Sequence, residues 1–394
     1  MVPEGWSATK LGKLATTVTS GSRDWAQYYS DTGSKFIRMT NLRRDGISLL
    51  LNDLKFVDIY SRSSDGKRTS LQAGDILISI TAELGKIGWI PEGFGEAYIN
   101  QHTALVRLSP KNADSKYVAY LLSSSQLNKT INSLNDAGAK AGLNLPTIKA
   151  IPLIVPPIVE QKKIAQILTT WDKAITTTEH LLANSQQQKK ALMQQLLTGK
   201  KRLLDKNGVR FSGDWHRIEL GALLDYKQPT PYLVKSTEYS DAHKVPVLTA
   251  GKTFILGYTN EDFGIYQEDL PAIIFDDFTT SSKFVDFPFK AKSSAMKILT
   301  AKKGISIKYV FEAMQMLNFS VGGHQRHWIS IYSNLVIPMP DKDEQQQIAQ
   351  VLITADREIE TLQQKLACLK QEKKALMQQL LTGKRRVKVN KEAA

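Results

Sequence analysis

One feature constrains this chain more than any other: it contains a long segment twice. Residues 160–202 read EQKKIAQILTTWDKAITTTEHLLANSQQQKKALMQQLLTGKKR, and residues 344–386 read EQQQIAQVLITADREIETLQQKLACLKQEKKALMQQLLTGKRR. The two align without a gap at an offset of 184, with 26 of 43 positions identical, and KKALMQQLLTGK recurs letter for letter at 189–200 and 373–384. Internal duplication of this quality means that one structural unit is used twice. The surroundings repeat more faintly. Gly5-Trp6 followed by Leu11-Gly12 returns as Asp214-Trp215 followed by Leu220-Gly221, and Lys116-Tyr117-Val118 returns as Lys308-Tyr309-Val310. The order is variable region, shared segment, variable region, shared segment. Variable parts on a common frame suggest equivalent modules that read different targets.

The shared segments have the physical character of long helices. No Gly or Pro falls between Pro157 and Gly199, or between Pro340 and Gly383. An uninterrupted helix of ~40 residues spans ~60 Å at ~1.5 Å per residue. The apolar seam of the second copy is Ile348, Leu352, Ala355, Ile359, Leu362, Leu366, Leu369, Lys373, Leu376 and Leu380. Its steps alternate four and three, the period of a coiled coil. The first copy keeps the register through Ile164, Leu168, Trp171, Ile175, Thr178, Leu182, Ser185, Lys189, Leu192 and Leu196, with a more polar middle. Gly199 and Gly383 suit the position just past a helix end, with Lys200 and Lys384 near the negative end of the helix dipole. The seams predict two long helices packed on each other.

The variable regions, 1–159 and 203–341, mix short strand-like runs with turns. LQAGDILISI (71–80), TALVRLS (103–109), PAIIFDD (271–277) and AMKILT (295–300) read as strands. SKYVAYLLSSSQLNKTI (115–131) and IKYVFEAMQML (307–317) read as helices. The expected organisation is two compact α+β domains, each followed by a helical repeat at 160–202 and 342–394. The length of 394 residues supports two or three domains, and a mean hydropathy of −0.26 leaves enough apolar residues to fill their cores. One cysteine, Cys368, excludes an intrachain disulfide framework and a cysteine-rich zinc site. No apolar signal segment or run approaching ~18 apolar residues occurs, so a cytoplasmic location is expected.

The net charge of +14 suggests a polyanionic partner, either a nucleic acid or a membrane surface. It is unevenly spread. Residues 1–159 hold 18 Lys and Arg against 13 acids, and 160–210 hold 10 against 4. Residues 211–343 hold 14 against 15, and 344–394 hold 10 against 6. The second variable region is therefore not globally basic, and a DNA role there needs a local patch. Lys283, Lys290, Lys292 and Lys297 offer one, beside Thr279-Thr280-Ser281-Ser282. In the first region the candidates are Ser22-Arg23 near Trp25, Tyr28 and Tyr29, then Arg38, Asn41, Arg43 and Arg44. Arginine can bind a guanine edge bidentately, asparagine or glutamine an adenine edge, and lysine or a hydroxyl a phosphate. An ordinary solvated basic face is the plain alternative for any one of them.

Catalytic chemistry is not visible. In VPVLTAGKT (245–253) Pro246 replaces the first glycine of a phosphate-binding loop. His324 and His327 in GGHQRHW lack accompanying Cys or paired carboxylate ligands, and read as a polar, DNA-facing or structural loop. Glu160-Gln161-Lys162 and Glu372-Lys373-Lys374 resemble the tail of a nuclease pattern, yet both lie in the long helices and read as helix charge. No Gly-x-Ser-x-Gly nucleophile turn occurs. Neither a catalytic nor a metal site is expected in this chain.

The arrangement resembles the specificity (S) subunit of type I restriction–modification enzymes. The resemblance rests on IPLIVPPIVEQKKIAQIL and IPMPDKDEQQQIAQVL, on LQAGDILIS, on SKYVAYLL and on the QQLLTGKKR ends, and it covers essentially the whole chain. It implies an α+β fold with two globular target recognition domains, separated by two long helices packed as an antiparallel coiled coil in a pseudo-twofold repeat. Each domain would read one half of a bipartite site in double-stranded DNA. The helices would set the spacing and dock two methyltransferase (M) subunits carrying S-adenosylmethionine. Restriction (R) subunits would add ATP/Mg-driven cleavage. The chain has no methylation tetrapeptide and no Walker motif, which fits a non-catalytic subunit without a cofactor of its own. The family's layout implies DNA contacts at Ser22, Arg23, Arg38, Asn41, Arg43, Arg44, Lys140 and Asn144. In the second domain it implies them at Lys227, Gln228, Tyr232, Lys252, Thr280, Lys283, Lys292, His324, Gln325 and Arg326. The alternatives are a self-contained nuclease or methyltransferase with an unrecognised site, and a coiled-coil adaptor without a DNA role.

Overall fold

A computed structural model describes residues 2–23, 25–58, 64–134, 142–249, 251, 253–317 and 327–389. With no helix breaker inside them, the two repeats form single helices, Ile158–Leu196 and Lys342–Leu380, each of 39 residues. Gly199 and Gly383 end them at φ +71° and +72°, where a side chain would be strained. Beyond each glycine, the Lys201 N–H reaches the Gln195 carbonyl at 3.0 Å and Arg385 reaches Gln379 at 3.1 Å, closing the last turn.

The chain divides into two compact units, Met1–Thr177 with Leu366–Ala394, and Thr178–Lys365. Each unit thus owns one variable region, the N-terminal half of the helix that follows it and the C-terminal half of the other helix. Within each unit the two half-helices run antiparallel. In the first, Glu160 pairs with Arg386 and Asp172 with Lys373. In the second, Glu344 pairs with Arg202 and Asp356 with Lys189. Every seam position read from the sequence is buried or half-buried. The polar middle of the first helix is accommodated as well: Ser185 donates to Glu358 at 3.0 Å.

The repeated letters explain themselves in these contacts. Arg386 grips Glu160 with Nε and Nη2, both at 2.7 Å, and its guanidinium lies over the Trp6 ring. Arg202 grips Glu344 identically, both at 2.6 Å, over the Trp215 ring. The next residue is a clasp. Gln161 accepts from the Asp114 N–H and donates to the Pro156 carbonyl; Gln345 accepts from Ser306 and donates to Pro340. Bidentate arginine–carboxylate pairs demand this geometry, which is why the same residue types return at the same offset.

Both variable regions fold on one plan despite their different sequences. A two-stranded antiparallel ribbon brings the start of each region to its end: Ser7–Lys10 with Pro152–Val155, and His216–Glu219 with Val336–Met339. A four-stranded antiparallel sheet follows. Its order is Ala15–Ser20, Thr103–Leu108, Ile76–Ser79, Ile87–Trp89 in the first unit. In the second it is Leu224–Lys227, Met296–Ala301, Ala272–Asp276, Ser282–Val285. A further sheet in each unit contains a parallel pair, Ser34–Ile37 with Ala97–Ile99 and Val245–Leu248 with Lys290–Ala291. The cores reach onto the helices: Ile164, Leu168, Leu380 and Leu381 in one, Ile348, Leu352, Leu196 and Leu197 in the other.

Two expectations are refined. The strand expected over 71–80 is confined to Ile76–Ser79, because Gly74 turns the chain at φ +86°. The helix expected over 115–131 is two, Ser115–Ser123 and Ser125–Ser133. Ser124 leaves the helical region and caps the second by accepting from the Leu127 N–H.

Candidate nucleic-acid interface

In the first unit the sequence-nominated residues separate into exposed cations and framework. Arg23 is exposed, and Ser22 is buried, bridging in parallel to Asn100 while its hydroxyl accepts from Arg68. Gly21 explains how this strand end meets the 100–102 turn: a Cβ there would fall 2.1 Å from the Asn100 carbonyl oxygen, so only glycine allows the approach. Arg44 is exposed and donates to Asn128 at 3.1 Å, while Arg43 is half-buried beside the Ile87 bridge. Arg38 binds Asp53 at 2.7 Å, and its hydrogen bond and charge hold that carboxyl below its usual range.

Asn41 and Asn144 are spent locally. Asn41 is 1% exposed, its amide donating to the Leu50 carbonyl at 2.7 Å and accepting from the Arg38 N–H at 2.9 Å. Asn144 caps the short helix Leu145–Ala150 by accepting from the Thr147 N–H at 2.8 Å. Both fix loops rather than present free amides. Lys140 lies outside the described residues.

In the second unit the four-lysine patch expected at 283–297 does not form. Lys290 and Lys297 are 0% and 1% exposed. Lys290 pairs with Glu261 at 3.0 Å and lies over the Phe263 ring; Lys297 pairs with Asp277 at 3.5 Å and donates to Gln228 at 3.0 Å. Local charge misleads here because Lys290–Ala291 and Met296–Leu299 are buried at successive positions, on both faces of their strands, and each inward lysine is matched by a carboxylate. Lys283 is exposed on the strand Ser282–Val285, and Lys292 is half-buried with Nζ on the Tyr239 hydroxyl at 3.0 Å. Thr280 sits at the hairpin tip with φ +59°, a conformation that non-glycine residues adopt only when their surroundings enforce it. Here Asp276 enforces it, accepting from the Phe278 and Thr279 N–H groups while its carbonyl accepts from Thr280. Exposed Lys227 is paired with Asp269, and Tyr232 packs edge-on to Tyr266 at 4.9 Å.

Lys252, His324, Gln325 and Arg326 lie outside the described residues. His327 is fully buried, its N–H on the Asp277 carbonyl at 2.9 Å, and belongs to the core rather than to a surface loop.

Gln101, His102 and Arg68 belong to no motif in the sequence. They share one corner with Ser22 and Arg23, at the ends of Ala15–Ser20, Ala97–Ile99 and Thr103–Leu108. The signal was a polar Asn-Gln-His turn between two apolar strands. Among the described residues no group of three or more His, Cys, Asp or Glu is placed to hold a metal ion, and no helix is long and apolar enough to cross a membrane.

The arrangement is two domains of one topology, on paired helix repeats, each carrying a different set of polar loop residues. The sequence profile of the type I restriction modification DNA specificity domain matches residues 3–184 and 212–371. The chain belongs to this family. It is 53% identical over 148 residues to the type I restriction enzyme EcoR124I/EcoR124II specificity subunit of Escherichia coli, a match covering 36% of this chain and 35% of that protein. The aligned part is thus about a third of that relative's length. A full-length match joins it to the MjaX specificity subunit of Methanocaldococcus jannaschii, 24% identical over 420 residues, covering 98% of this chain and 95% of the other. The crystal structure of the type I restriction-modification S subunit from M. genitalium shares the fold at TM-score 0.68 and 14% identity, covering 98% of this chain and 97% of that one.

Proposed function

We propose that this chain is the non-catalytic DNA-reading subunit of a type I restriction–modification complex that acts in the cytoplasm. Each variable domain reads one half of a bipartite target in double-stranded DNA. The helix repeats fix the distance between the halves and dock two methyltransferase subunits. S-adenosylmethionine belongs to those subunits, and ATP with Mg to restriction subunits where they join.

The observation that carries this reading is duplication of the frame without duplication of the loops. Selection for one catalytic site gives no reason to keep two identical clamps under two differently decorated domains, whereas a two-part target gives one. Scale agrees. Half-sites one turn of B-DNA apart lie ~34 Å apart, and a 39-residue helix at ~1.5 Å per residue is ~58 Å long. The exposed Arg23, Arg44 and Lys283 suit phosphate contacts, which position a protein on the duplex without specifying sequence.

Co-expression with a methyltransferase subunit, followed by sequencing of methylated bases, tests the assignment. The expected product is a motif in two specified halves with an unspecified spacer. Deleting one heptad from both helices together should change the spacer and leave both halves as they were. Altered bases within the halves would sink the ruler.

A further inference from the structure

The corner that gathers Ser22 and Arg23 also carries a turn tied by several hydrogen bonds. Asn100-Gln101-His102 links the strand Ala97–Ile99 to the strand Thr103–Leu108. Asn100 Oδ1 accepts from the His102 N–H at 3.2 Å and from the Thr103 hydroxyl at 3.4 Å, and the Thr103 N–H returns to the Asn100 carbonyl at 3.2 Å. The Ile80 N–H ties the His102 carbonyl at 3.0 Å. The imidazole is held at both nitrogens. Gln101 Nε2 lies 3.1 Å from His102 Nε2, and Thr81 Oγ1 lies 2.8 Å from Nδ1. An amide nitrogen can only donate, so in this orientation Gln101 spends one amide hydrogen on His102 Nε2, and the Thr81 hydroxyl completes the pair at Nδ1.

This relay uses one Gln101 amide hydrogen and leaves the rest of the group available. Gln101 is half-buried, and its Oε1 has no partner among the described residues. A carboxamide with one acceptor and one donor unspent, on a side chain fixed by its neighbour, is the arrangement that reads the N6 and N7 edge of adenine. Arg23 on the adjoining strand end, exposed, supplies charge for the phosphates beside such a base.

The second unit builds the same turn with a different tip. Ser293 Oγ accepts from the Ala295 N–H at 3.1 Å, the Met296 N–H returns to the Ser293 carbonyl at 3.3 Å, and the Asp277 N–H ties the Ala295 carbonyl at 3.2 Å. In these three bonds Ser293 matches Asn100 and Ala295 matches His102, which puts Ser294 at the place of Gln101. Ser294 is exposed. One backbone device therefore presents a long amide in one domain and a short hydroxyl in the other.

We propose that the tip of this turn is a specificity-determining position, with Gln101 the base-reading residue of the first domain and His102 and Thr81 its positioning residues. The inference rests on the DNA-reading function proposed above. Its test uses the co-expressed complex and methylated-base sequencing. Gln101→Ala should relax one base position in one half of the motif, with discrimination there falling on the order of tenfold, while the other half is unchanged. Gln101→Glu turns the donor into an acceptor and should move the preference at that position toward cytosine, whose N4 amino group donates; a merely structural side chain would not redirect the base. A motif that both variants leave untouched, or an even loss across all sites, overturns the inference alone. A wild-type complex that methylates without any specified motif overturns the DNA-reading assignment and this inference with it.

Discussion

At the centre of the first unit, Lys373 meets Asp172 at 2.5 Å, and Asp172 also accepts the Tyr120 hydroxyl proton at 2.5 Å. At the same place in the second unit, Lys189 and Lys308 share two carboxylates, Asp356 and Glu312. Lys189 and Lys373 are repeat equivalents, as are Asp172 and Asp356. What differs is the domain helix laid across them, which offers a tyrosine at 120 and a glutamate at 312. The frame is thus copied, and each domain completes it with its own chemistry. A lysine inside an apolar seam costs solvation, but it admits only the register in which a carboxylate waits opposite, so it specifies alignment more than it adds stability.

The comparison is broken most forcefully at the second unit's cluster. Glu312 is fully buried, so Glu312→Ala strands Lys189 and Lys308 on one shared carboxylate and should cost ~3 kcal/mol. Tyr120→Phe removes the hydroxyl's hydrogen bond to the charged Asp172 and its longer one with Thr169, and should cost ~1–2 kcal/mol. Denaturant unfolding of the two variants reads the difference directly; equal losses would mean that the extra ion pairs contribute nothing.

Acid should find the same asymmetry. Burial pushes the Asp356 carboxyl up, but hydrogen bonds from Lys189 and Lys308 outweigh it and leave the group below its ordinary 3.8. A carboxylate depressed in the folded state stabilises the protein above its unfolded value, and that contribution is lost as pH falls through the folded one. Unfolding followed from pH 5 to pH 2 should therefore steepen below about 3.8, and Asp356→Asn should flatten that limb.

The smallest effect lies at the helix ends. Trp215 Nε1 donates to Glu344 at 3.0 Å, whereas Trp6 Nε1 is buried without a partner among the described residues. Trp215→Phe should cost ~1 kcal/mol more than Trp6→Phe, because only the first leaves an acceptor with one donor fewer. Thermal melts of the two variants sharpen the comparison; a larger loss for Trp6→Phe would show the tryptophans to be held by packing alone.

Much of the architecture was legible because it was written twice. The helix bounds followed from missing Gly and Pro, and the seam from a regular four-three spacing. The strands at 103–109, 271–277 and 295–300 followed from apolar runs between turn residues. The candidate interface was far less legible. Lys290 and Lys297 have the sequence pattern of surface charge, yet their strands are buried on both faces with Glu261 and Asp277 as partners, and the amides of Asn41 and Asn144 close a turn and a cap rather than stand free. Gln101 stands in a polar Asn-Gln-His turn between two apolar strands, a pattern that many loops share and that does not by itself mark a reader.

By itself, then, the sequence determined that two equivalent modules stand on two long helices, since periodicity and duplication are local properties that survive in one dimension. Only the tertiary structure decided which polar side chains are spent. Whether a lysine meets a buried glutamate, or a glutamine keeps its carbonyl open, depends on partners tens of residues away, and hydrogen-bond geometry over ~3 Å cannot be read from spacing along a chain.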